Sequence, residues 1–115
     1  MDAARALADL IEISPQIEVA AIVARNGDLA GSVGIPDTRG AVLAQAVRDL
    51  LDGAGAFRSD GVRVTQVHAE LADGDLFAVT GPDARTIVAV VGERATPGLV
   101  FYDLKRCLAS VADEA

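Results

Sequence analysis

Ile17-Glu18-Val19-Ala20-Ala21-Ile22-Val23-Ala24-Arg25-Asn26-Gly27-Asp28 is the stretch that decides the fold. Alternate residues sort into Ile17, Val19, Ala21, Val23 and Ala20, Ile22, Ala24, so a strand over Ile17–Arg25 is apolar on both faces. Such a strand belongs in the middle of a sheet covered on both sides. Asn26-Gly27-Asp28 then reads as a tight hairpin turn, because Asn-Gly tolerates the positive φ angles that the turn demands. The return strand is Leu29–Ile35, thinned by Gly31, Ser32 and Gly34.

Upstream, residues 2–13 carry helical spacing, with Leu7, Leu10 and Ile11 on one stripe and Arg5, Asp9 and Glu12 opposite; Pro15 stops the helix. Downstream, Pro36-Asp37-Thr38 opens a second helix, with Asp37 or Thr38 as N-cap, that runs to about Asp52 and ends near Gly53 and Gly55. A third strand is expected at Gly61–Leu71. Val62 and Val64 share one of its faces while Val67, Ala69 and Leu71 share the other, which predicts a bulge or a change of environment midway. Arg63, His68 and Glu70 suit an edge position. Ala72-Asp73-Gly74-Asp75 turns the chain into Leu76–Gly81, and Pro82-Asp83-Ala84 turns it into Arg85–Gly92, again apolar on both faces. A last helix spans about Gly98 to Ala112, its stripe made of Val100, Phe101, Leu104, Cys107, Leu108 and Val111. The order α-β-β-α-β-β-β-α places the two doubly apolar strands side by side. Hairpins then extend the sheet to either side, giving an α/β (α+β) fold with an antiparallel sheet in the order 2-1-5-4-3 and helices on both faces.

The 115 residues suit one domain, expected to span 1–115. Three Phe, one Tyr and no Trp mean an aliphatic core, and nine Arg to one Lys suggests a GC-rich bacterial genome. A net charge of −7 disfavours nucleic acid, whose affinity rests on cations at phosphates, and anionic membrane surfaces alike. The longest apolar run, Val19–Ala24, is far too short to insert into a bilayer, and Asp2 argues against a signal peptide. Cys107 stands alone, so no internal disulfide forms, and the expected compartment is the cytoplasm.

Catalytic constellations are not evident. His68 is the single histidine, no Gly-x-Ser-x-Gly elbow occurs, and the histidine reads as a surface or interface residue. One His and one Cys on different elements do not make a metal site, and Asp73-Gly74-Asp75 reads as a turn. The glycine-rich Gly27–Gly34 stretch lacks the Lys-Ser/Thr of a phosphate loop, so no cofactor is expected. Cys107 falls within its helix's apolar stripe and reads as a buried thiol.

The second helix has more apolar surface than one sheet needs. Val42, Leu43, Ala46, Val47, Leu50, Leu51 and Ala54 sweep half its circumference, whereas a helix on a sheet needs a stripe of only ~100°. The surplus serves either deeper burial within the chain or another helix. Gln45, Arg48, Asp49 and Asp52 hold the polar half and, with Arg39, are the candidate partner-binding residues.

The element order, the Ile17–Asp28 strand and turn, Gly31-Ser32, the apolar second helix and Thr86-Ile87-Val88-Ala89-Val90-Val91 together resemble the Roadblock family. The resemblance covers nearly the whole chain and implies a homodimer formed through the second helix and the third strand. Carried over, the interface is Val42, Leu43, Ala46, Val47, Leu50 and Leu51 with Val62, Val64 and Gln66. It also implies a non-enzymatic partner of a Ras-like small GTPase that modulates its nucleotide state, with Arg39 and Arg48 as candidates for a contributed arginine. The alternatives are an assembly module for other proteins, or a small-molecule-sensing, profilin-like domain.

Overall fold

A computed structural model describes residues 1–55, 64–92 and 96–111. Helix α1 spans Ala3–Ile13, β1 Ile17–Val23, β2 Leu29–Val33, α2 Asp37–Gly55, β3 Gln66–Leu71, β4 Gly74–Thr80, β5 Thr86–Val91 and α3 Pro97–Ser110. The sheet order is β2-β1-β5-β4-β3, antiparallel throughout, as expected from the two doubly apolar strands. Asp2 caps α1, its carboxylate accepting from the Arg5 N–H at 2.8 Å. No helix among the described residues is long and apolar enough to cross a membrane.

Two departures from simple alternation follow from register. The β1–β5 ladder shifts between Ile17 and Val19, so Ile17 joins Ala20 and Ile22 on one face instead of lining up with Ala21. In the third strand, Val64 and Val67 both pack against the same small core although they stand three residues apart. A regular strand would send them to opposite faces, so the expected phase change falls between them. The predicted start of that strand, through residue 63, lies outside the described residues.

The sheet has one thickly and one thinly covered face. Helices α1 and α3 press Leu7, Leu10, Val100 and Leu104 onto Ile22, Phe77, Ile87 and Val91. On the other face α2 lays Val47 and Leu51 over Ala21, Ala78 and Val88. It rests mainly on β2 and β1. Leu29 and Leu43, with Val64, Val67 and Leu76 towards the β3 side, are left half-buried.

Candidate interaction surface

The broad apolar arc of α2 divides into two. Ala44, Val47 and Leu51, at helical spacing, face the chain's own sheet, with Leu43 half-buried beside them. Val42, Ala46 and Leu50, one turn apart in succession, point away from it, Val42 being 69% and Leu50 42% exposed. Of the helix positions that the family resemblance assigns to a dimer, Val47 and Leu51 are therefore used within the chain, and Val42, Ala46 and Leu50 are available.

The polar residues of α2 separate as well. Gln45 donates to Asp49 at 3.0 Å, and Asp52 is exposed. Arg39 is exposed and makes no ion pair or side-chain hydrogen bond among the described residues. Arg48 is half-buried, its guanidinium carbon 3.5 Å from where a Cβ on Gly27 would stand, so it packs on the β1–β2 turn. That turn holds itself through Asn26 and Asp28, the Asp28 N–H donating to Asn26 Oδ1 at 3.0 Å, while Gly27 adopts φ +96°. Arg48 thus braces the turn, while Arg39, the other α2 arginine, is exposed and without an ion pair among the described residues.

Strand β3 is a sheet edge. The Thr80 N–H donates to the Thr65 carbonyl at 2.8 Å. By the alternation of an antiparallel ladder, Gln66, His68 and Glu70 turn their backbone N–H and C=O groups to the open side. Val67 lies on the α2 face with Val64, while Gln66 is exposed. Val62 lies outside the described residues.

His68 is on the opposite face, where its ring stacks on Phe77 with centroids 4.4 Å apart and its Nε2 lies 2.9 Å from Asp75. Phe77 in turn meets Phe101 edge to face. His68 therefore shields the outer flank of a core aromatic. Cys107 is buried and donates to the Ala6 carbonyl at 3.4 Å; burial, with Asp9 adding to it, pushes the thiol up to about 11. Such a thiol is a poor nucleophile at neutral pH. No group of three or more His, Cys, Asp or Glu gathers to hold a metal among the described residues.

Sequence reasoning missed Arg85. Its Nε meets Asp83 at 2.5 Å, and its Nη atoms donate to the Val111 and Leu108 carbonyls at 3.0 and 3.3 Å. It thereby ties the end of α3 to the β4–β5 turn. Burial works to raise the Asp83 carboxyl, but the N–H groups and charge of Arg85 outweigh it and hold the carboxyl below its usual value. Nothing in local spacing announces a contact between residues so far apart in the chain.

Compared as a sequence, the chain matches no family model and no curated protein. Compared as a structure, it superposes on a Roadblock/LC7 domain from Streptomyces avermitilis with a TM-score of 0.83 at 21% identity, over 96% of this chain and 94% of that one. The chain has the Roadblock/LC7 fold. Myxococcus xanthus MglB shares this Roadblock/LC7 architecture, with a TM-score of 0.76 at 18% identity over 91% of this chain and 87% of that one. LokiProfilin2, solved in complex with rabbit actin, also superposes on this chain, with a TM-score of 0.64 at 12% identity over 91% of both chains.

Proposed function

We propose that the chain is a non-enzymatic, homodimeric regulator that binds a Ras-like small GTPase in the cytoplasm and modulates its nucleotide state. The observation that carries this reading is the unfinished α2 face. One helix covers only part of it, Val64, Val67 and Leu76 are half-buried beside it, and Val42, Ala46 and Leu50 point outward. A second copy's α2, laid against the first, offers apolar side chains where they are lacking, and the family resemblance implies that the two open β3 edges pair as well. Burying one Leu or Val contributes roughly 1.5–3 kcal/mol, so a few such residues per chain suffice to favour association.

The GTPase is proposed from the family resemblance together with the Roadblock/LC7 fold. A regulator of this kind acts by holding switch segments in one conformation, and Arg39, unpaired among the described residues, is a cation of α2 available to contact them. Sedimentation at micromolar concentration should find two chains per particle, and mixing with the small GTPase encoded in the same genome should yield a complex with an altered hydrolysis rate. A monomer would remove the platform; a dimer without a complex in any nucleotide state would remove the GTPase. A second reading, an assembly module for a larger partner, is supported by the likeness to LokiProfilin2 with its actin. Capture of a single, non-GTPase chain would favour it.

A further inference from the structure

Between the β4–β5 turn and the second half of α3 lies a cavity of about 180 Å³, away from the α2 surface. Val79, Pro82, Leu108 and Ala109 give it apolar walls. Gly81 completes them; a Cβ added there would come within 3.1 Å of Leu108 Cδ2 and crowd the wall. The turn is stiff. The Gly81 N–H donates to the Arg85 carbonyl at 2.9 Å, the Ala84 N–H donates to the Gly81 carbonyl at 3.0 Å, and Arg85 ties the turn to the end of α3. The space is therefore held open from two sides.

Three charged side chains border it. Asp83 and Arg85 neutralise each other through their ion pair. Lys105 is exposed at the same cavity and makes no ion pair or hydrogen bond among the described residues, leaving a net positive rim. An apolar cavity of ~150 Å³ is large enough to take benzene, and binding sites typically join such walls to a few polar groups that orient the ligand. We propose that this cavity binds a small aromatic or branched aliphatic monocarboxylate, its apolar part against Val79, Leu108 and Ala109 and its carboxylate on the Lys105 ammonium.

Benzoate and its neutral counterpart benzyl alcohol are the probes, titrated into isotopically labelled full-length chain and followed by amide shifts. Benzoate should shift Gly81, Leu108 and Ala109 to saturation and bind about threefold tighter than benzyl alcohol, the scale of one exposed ion pair. Lys105→Gln should erase that preference while leaving the apolar binding, and Ala109→Phe should abolish both titrations by filling the space. If Ala109→Phe fails to fold by circular dichroism, Lys105→Gln decides the matter, since its site is exposed. Benzoate leaving these amides unmoved, or a preference that survives Lys105→Gln, would overturn the assignment, as would binding confined to acidic peptides. The result is independent of dimerisation and of any GTPase.

Discussion

The two faces of the sheet are built to different standards. Beneath α1 and α3 lie large side chains, Phe77, Ile22, Ile87 and Val91 among them, all fully buried. Beneath α2 lie Ala21, Ala78 and Val88, which let one helix settle close but give it little to interlock with. A face finished by its own chain holds the fold, and the thinner face is where the proposed second copy would lie. Truncation should expose the contrast most strongly. Leu104→Ala should cost about 4 kcal/mol in denaturant unfolding, and Leu51→Ala, the same deletion on the thin face, about half of that, because less packed volume surrounds it. Equal losses at the two sites would break the comparison.

Cys107 probes how dry the thick face is. Its folded pKa is raised from 9.0 to about 11 by burial, Asp9 contributing. Below about pH 9 the thiol is protonated in both states, and its contribution to stability is fully present. Between pH 9 and 11 the unfolded chain ionises while the folded chain does not, and each pH unit in that window removes ~1.4 kcal/mol. Stability therefore falls by about 2–3 kcal/mol from one end of it to the other. Unfolding free energies of wild type and Cys107→Ala, measured across this range, should converge as pH rises. Parallel curves would mean that water reaches the thiol.

At the rim of the same face, Arg85 should matter slightly less. Arg85→Ala removes its ion pair to Asp83 and the donors to the Leu108 and Val111 carbonyls, and should cost about 2 kcal/mol. The loss should be accompanied by faster amide exchange over the last turn of α3. A uniform change across the chain would show that Arg85 is not a local clamp.

Element order and sheet topology were legible because they rest on local signals: Asn26-Gly27 fixes one hairpin, and the two doubly apolar strands can only be neighbours. The phase change of the third strand was legible for the same reason, since Val64 and Val67 violate a period of two. The shift between Ile17 and Val19 was not, because an apolar residue on either face of β1 satisfies a covered sheet. Helix α2 shows the same limit. Its sequence displays the width of the apolar arc, but which residues turn inward depends on where the helix lies over the sheet. Arg85 and His68 find their roles only through neighbours brought together by folding.

The smallest effect on the chain itself should come from Leu50→Asp, and that smallness is its use. Leu50 is 42% exposed, so a carboxylate there keeps water around it and should change the stability of an isolated chain by no more than about 0.5 kcal/mol. Across the twofold axis of the proposed dimer the same change acts twice, setting a charge in an apolar contact on each copy, where desolvation without a partner is costly. The expected outcome is a folded monomer by sedimentation, with circular dichroism unchanged. Val42→Asp, two turns along the same face at 69% exposure, should do the same. If both variants remain dimeric, the pairing uses the β3 edge without the helix, and the thin face needs another occupant. If both unfold, the helix is more deeply embedded in its own chain than its exposure implies.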